Sequence, residues 1–413
     1  MYGKLLSFMM TILMLASALA GCAGNDVSLD DDDGGYEYAS NVDNHRMLMG
    51  DVCDIKDLSG EYDWDEVSDI YENGKHAEKS DGSFRTLEGF ASASGKNHAY
   101  DTYYGAEGSW DVFVEAAISG TGPFAGESDT VRDQAVEKGI QNGIMTAYAI
   151  HELNAAIIKA EAGNWGPDDA QHAWDEGWAF YHGPDDSDHD YDGCGPYATA
   201  DKRAGNFGTD NADGTAATNV ATLAAMNAGL TAIRNEDMQG LVDARDEVLK
   251  NIIIVYSQAS VRYASKMTDD LADGDTDDYD KHQAEGHSFF RVIEAYVAEH
   301  TSVCYNMVSH VVTSDSSQAE CEGYAYYDAA TDNNTMNYTG CYNIVTHQTT
   351  EDDQPTCEAY GWVANYYSDK IVALFDLSNN GEASADYEAD VRSWLQPAWD
   401  HYGITATDIG TLQ

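Results

Sequence analysis

Glu176-Gly177-Trp178-Ala179-Phe180-Tyr181 and Glu285-Gly286-His287-Ser288-Phe289-Phe290 are two versions of one pattern, and their reading decides the fold. Each follows a long run with helical spacing. A tyrosine, Tyr148 in the first copy and Tyr256 in the second, precedes the glutamate at nearly the same distance. The pattern predicts a duplicated helical hairpin, each copy presenting one acidic residue beside aromatics. Two copies packed face to face would bring carboxylates together in a bundle core, a common way to build a metal site from helices.

Outward from this pair, Val131, Ala135, Ile140, Ile144, Ala147, Ile150, Ala155 and Ile158 recur at the spacing of a buried helical stripe over 128–162. Gly139 and Gly143 weaken its middle and predict a kink or break, and Gly163 ends it. Pro167 suits the first turn of a helix running through Tyr181. Further helices are predicted over 63–75, 109–119, 215–235, 239–266, 278–300, 361–377 and 386–401, with 183–214 as loop. The chain therefore reads as all-α: a helical bundle built from duplicated helical hairpins, with a small disulfide-rich insert.

That insert is residues 301–360. Cys304-Tyr305-Asn306-Met307-Val308-Ser309-His310 recurs as Cys341-Tyr342-Asn343-Ile344-Val345-Thr346-His347, and Cys321-Glu322-Gly323-Tyr324 as Cys357-Glu358-Ala359-Tyr360. The tandem repeat separates a helical metal-binding domain, 51–300, from C-terminal helices, 361–413, that complete the bundle. His310 and His347 occupy matching places in it.

The N-terminus reads as an export signal. Lys4 precedes an apolar run from Leu5 to Leu19 and a small-residue cleavage site, giving a signal peptide over 1–21. Leu19-Ala20-Gly21-Cys22 resembles a bacterial-type lipobox, with Cys22 as the lipidated residue and the membrane as a partner. Residues 22–50, including Asp30 to Asp33, read as a lipid-anchored acidic linker too polar to fold. The expected location is outside the cytoplasm, tethered at the cell surface or in the periplasm.

Seven cysteines less Cys22 leave an even set: Cys53, Cys194, Cys304, Cys321, Cys341 and Cys357. In an exported chain these predict disulfides. The repeat points to Cys304–Cys321 and Cys341–Cys357, leaving Cys53–Cys194. A net charge of −52, from 21 basic and 73 acidic residues, excludes nucleic acid as a partner. It fits a solvated acidic surface suited to salt, and equally a field that gathers metal cations.

The candidate metal ligands are Glu176 and Glu285 at equivalent places, with His151, Glu152, His287, Tyr181 and Glu294 nearby in sequence. Carboxylate, imidazole and phenolate suit a hard or borderline cation such as iron. His151-Glu152-Leu153-Asn154-Ala155 begins like a zinc-protease helix but lacks the second histidine. Asp188, Asp190 and Asp192, followed by Gly193, match the start of a calcium loop, but Thr199 stands where an EF-hand needs Glu.

Ile70-Tyr71-Glu72-Asn73-Gly74, Phe84 to Ala91, Asp175 to Tyr181, Cys194 to Arg203 with Asn206-Phe207-Gly208, and Asp408 to Leu412 carry a family likeness. The chain resembles the iron-assimilating, low-iron-inducible periplasmic proteins of algae, related to the phytotransferrins, from about Val67 to Leu412. The resemblance implies an extracytoplasmic, helical, iron-linked protein with no enzymatic reaction. The insert and the tether depart from the family pattern. The phytotransferrin link implies ferric iron held with carbonate, and Arg203, Lys202 and Tyr197 are the candidate anion cradle, since Arg grips planar anions through two parallel bonds. The expectation is a protein that captures iron at the cell surface and passes it to uptake machinery. The alternatives are a calcium-braced, disulfide-stabilised surface or adhesion protein, and a non-haem metalloenzyme, whose usual paired Glu-x-x-His motifs are absent.

Overall fold

The computed structural model describes residues 29–96, 98–186, 188–329, 338–382 and 385–413. The expected signal peptide and Cys22 lie outside them. Among the described residues no helix is long and apolar enough to cross a membrane.

In chain order the main elements are a hairpin of β1 (Asp32–Asp33) and β2 (Tyr36–Glu37), then α1 (Leu48–Gly60) and α2 (Asp129–Lys138). A π-helical turn, Gly139–Ile144, carries α2 directly into α3 (Met145–Glu161), and α4 (Ala170–Tyr181) returns along it. Next come α5 (Pro196–Phe207), α6 (Ala217–Arg234), α7 (Met238–Asp273) and α8 (Thr276–Val297). After the insert, α9 (Tyr366–Leu374) and α10 (Tyr387–His401) finish the bundle. Short helices Trp64–Asn73, Leu87–Ala91, Ala99–Tyr104 and Ser109–Ser119 fill the stretch between α1 and α2.

Helix α7 is the spine, 36 residues long and hence about 54 Å. Asp237 caps it by accepting from Gly240 N at 3.1 Å, satisfying one of the orphan N–H groups of its first turn. Gly274, at φ 73°, ends it in the left-handed conformation that glycine adopts without cost. Asp275 then caps α8 at once, so the α7–α8 hairpin turns within two residues.

The duplicated hairpins are present as α3–α4 and α7–α8. Tyr148 packs on Phe180 at 5.5 Å in the first and Tyr256 on Phe289 at 6.1 Å in the second. The hairpins meet through their first helices: Tyr256 Oη donates to Asn142 and lies 3.0 Å from Thr146 Oγ1. The second helices take different neighbours, α4 packing on α6, and α8 on α2 and α9. Glu176 and Glu285 are therefore not brought together, contrary to the face-to-face expectation.

The glycines of the stretch over 128–162 give one extra residue per turn rather than a break. This shifts the apolar face, so Ile158 is 60% exposed while Leu153, Ala156, Ile157 and Ala160 take the buried positions. The expected loop over 183–214 contains helix α5, opened by Pro196 at its first position. Proline there costs no hydrogen bond.

The linker expectation fails over 29–50. Arg46, fully buried, donates from Nε to Asp33 Oδ2 at 2.6 Å, and from Nη1 to Asp30 O at 2.7 Å and Asp43 Oδ1 at 3.1 Å. Tyr36 Oη donates to Asp175 Oδ1 at 2.7 Å, and Trp178 Nε1 to Asp33 O at 3.0 Å. Average composition hides this, because a single bidentate arginine pairs with Asp33 and Tyr36 docks the run on α4.

All three expected disulfides are formed: Cys53–Cys194, Cys304–Cys321 and Cys341–Cys357. Cys53–Cys194 ties α1 to the turn before α5. The insert is β-structure. Its first unit supplies β3 (Val303–Asn306), β4 (Val311–Val312) and β5 (Tyr324–Tyr327). The second supplies β6 (Gly340–Asn343), β7 (Thr349–Thr350) and β8 (Tyr360–Val363), three residues beyond the expected boundary. The sheets are β4-β3-β8 and β5-β6-β7, so each unit gives its last strand to the other. Tyr324 and Tyr360 stack between the units at 4.2 Å.

Candidate metal centre

Helix α4 places Glu176 at the middle of a cluster. His172, one turn earlier, reaches Glu176 Oε1 with Nε2 at 3.1 Å. His45, from the segment before α1, reaches the same oxygen with Nε2 at 3.2 Å. Glu152 comes from α3, held close by Gly177, where an added Cβ would stand 2.7 Å from Leu153 Cδ2. Phe180, 5.6 Å from His45, and Phe90 wall the cluster. His172 is the exposed member, its side chain 32% accessible. Its Nδ1 lies 3.0 Å from Ser40 Oγ, which lines a cavity of about 280 Å³ together with Asp31, Tyr38, Asn41, Asp43 and Arg46.

The electrostatics follow from burial. Burial pushes the His45 imidazole down to about 3, against the pull of Glu176, so the ring is neutral at pH 7. Burial also disfavours ionisation of both glutamates. In Glu176 the His45 and His172 contacts outweigh it and hold the carboxyl well below its usual range. Burial, and then the adjacent Glu176, raise Glu152 well above its usual range and so favour its neutral form. Arg85 completes the surroundings, with Nε buried and without a hydrogen-bond partner among the described residues.

Of the sequence candidates, Glu176 and Glu152 meet here. His151 lies at the edge, Nε2 3.8 Å from Glu152 Oε1, and its ring faces His98 at 4.8 Å. The others are elsewhere. Tyr181 Oη donates to Asn219 Oδ1 at 2.7 Å, since five residues beyond Glu176 is the wrong face of α4. His287 stacks on Phe113 at 5.6 Å with Nδ1 3.2 Å from Phe375 O. Glu294 accepts from Tyr103 and Tyr104.

Glu285 accepts from Tyr263 Oη at 2.9 Å, and Arg203 lies over the same Tyr263 ring at 5.5 Å. These two form a second, separate cluster. Arg203 is 8% exposed, with Nε and Nη1 buried and without a hydrogen-bond partner among the described residues. Tyr197 instead packs on His182 at 4.3 Å, and Lys202 stands near Lys56 and Lys138. The expected anion cradle is thus helical, and only Arg203 has its polar atoms buried. In the expected calcium loop, Asp188 is exposed, its N–H donating to Asp186. The Asp192 carboxyl is raised by burial and by Asp190 beside it. His45 and His172 were missed by sequence reasoning: His45 was assigned to the linker, and His172 shows only as a histidine one helical turn before Glu176.

The donors of the Glu176 cluster suit iron chemically, with imidazole nitrogens and carboxylates on one oxygen-centred point. Among the described residues, no three His, Cys, Asp or Glu side chains stand at the spacing of an assembled metal-ligand group. Here the two imidazole nitrogens face the carboxylate at 3.2 and 3.1 Å.

The model of the low iron-inducible periplasmic protein family matches residues 10–298, and the chain belongs to that family. The matched region ends at the boundary between α8 and the β-insert. The family's description is periplasmic and iron-related, in line with the resemblance in the sequence. No curated protein and no solved structure matches the chain.

Proposed function

We propose that the protein captures iron outside the cytoplasm for uptake, with His45, His172, Glu176 and Glu152 as the binding group. The observation that carries this is the approach of two imidazole nitrogens, from distant parts of the chain, to one buried carboxylate oxygen at 3.1 and 3.2 Å. Binding would exchange those contacts for bonds to the cation and favour the ionised form of Glu152. No turnover is needed for this role. Arg85, beside the glutamates, supplies the cationic group that a carbonate would need; Arg203 serves Tyr263 and Glu285 instead. Anchoring through a lipidated Cys22 and delivery to uptake machinery complete the reading.

Titration of the mature chain with ferric iron, with and without bicarbonate at high salt, tests it. Saturable binding lost in Glu176→Gln and His172→Ala but kept in Glu285→Ala is the expected result. Binding unaffected by the first two moves the site elsewhere. The facing Asp190 and Asp192 favour a second reading, a calcium-braced surface protein. Calcium-dependent stability without iron affinity would establish it.

A further inference from the structure

A cavity of about 110 Å³ lies over α3, lined by Lys96, His98, Ile150, His151, Asn154 and Tyr296 among others. His98 is 4% exposed, and its Nε2 is buried with no hydrogen-bond partner among the described residues. Tyr148 Oη is buried and unpartnered in the same way. The three rings are mutual neighbours: His98 to His151 at 4.8 Å, His98 to Tyr148 at 4.9 Å, and Tyr148 to His151 at 5.5 Å. Native interiors seldom leave polar atoms unmatched, because each costs free energy unless a ligand or water satisfies it. Two such atoms, from different elements, stand here beside a third donor ring.

We propose that His98 and His151, with Tyr148 as a third donor, form a second site that takes a divalent first-row transition cation. Imidazole is the ligand such cations share. Glu152 lies 3.8 Å away on the Nε2 side of His151, which leaves Nδ1 as the donor. The Lys96 ammonium at the rim opposes a cation and keeps the affinity modest. The site does not depend on the role of Glu176: its nitrogen donors are not those that touch that carboxylate.

Co2+ is the probe, titrated into the mature full chain and followed by its visible ligand-field bands. In a Glu176→Gln background, which removes the other candidate centre, His98→Gln and His151→Gln are expected to weaken the remaining Co2+ binding at least tenfold. Unchanged binding in both histidine variants would overturn the proposal. A measurement on the unsubstituted protein guards against variants that fail to fold. Substoichiometric Co2+ should broaden the ring resonances of His98 and His151. Broadening confined to His45 and His172 would overturn the proposal equally.

Discussion

His45 Nε2 and Glu176 Oε1, 3.2 Å apart, join a segment that composition marks as unfolded to the helix that carries the duplicated motif. This contact makes the N-terminal acidic run part of the candidate centre. Truncating the chain to residue 51 removes His45 and Ser40 together. Iron binding is expected to fall at least tenfold, while far-UV circular dichroism keeps its helical form.

Arg46 tests the same segment by stability. Arg46→Met leaves Asp33 buried and unpaired, which costs about 3–5 kcal/mol for a buried pair broken on one side. Burial already favours the neutral form of Asp33, so the lower figure is expected. Limited proteolysis should then cut within 29–46 well before the helices, and a cutting pattern like that of the unsubstituted protein would count against the docking described.

His287 gives a pH dependence with a definite sign. Burial against Phe113 and Phe375 lowers its pKa to about 4, from about 6.5 in the unfolded chain. The unfolded state therefore binds the proton more readily between these values. The stabilisation is full above pH 6.5 and is lost as the pH falls through about 4. The ring edge is partly exposed, so the contribution is about 1–3 kcal/mol. His287→Phe keeps the stacking, and its denaturant midpoint should fall less than that of the native chain between pH 6.5 and 4. Identical slopes would sink the assignment.

The glycine of each duplicated motif is a packing constraint. A Cβ on Gly286 would stand 2.1 Å from Phe375 Cε1. Gly286→Ala should destabilise by about 1–3 kcal/mol through overpacking, read as a lower denaturant midpoint with unchanged slope. Gly60, with nothing near its Cβ position, is the matched control, for which Ala is tolerated.

The insert is separable. Val303 and Val363 are register partners across β3 and β8, about 5 Å apart for a paired position. Replacing 304–362 by two or three glycines should leave the helical domain folded, with iron titration unchanged. Loss of binding would place the iron site, or its support, in the insert.

The helices were legible because periodicity and caps are local. The stripe through Val131 and Ile144, the Gly163 stop, and the repeat around Glu176 and Glu285 all lie within a few turns of sequence. The cysteine pairing was legible because the tandem repeat reduced its choices. The Glu176 centre was half legible: Glu152 and Glu176 come from one hairpin, but His45 arrives from more than a hundred residues away through pairings of Arg46 and Tyr36. The expectation that Glu285 would join it failed for a reason of topology. Tyr256, Asn142 and Thr146 bind the first helices of the hairpins together, and this leaves each glutamate with a different neighbour.

The traded strands make the two halves of the insert depend on each other. A single unit, Val303 to Tyr327, cannot complete either sheet, since β8 lies beside β3 and β6 beside β5. Two separate chains of that length would complete both by exchange, as identical protomers do when they swap an element. Within one chain the exchange is intramolecular, so both sheets close without a second copy, and neither unit can be cut away without opening the other's sheet.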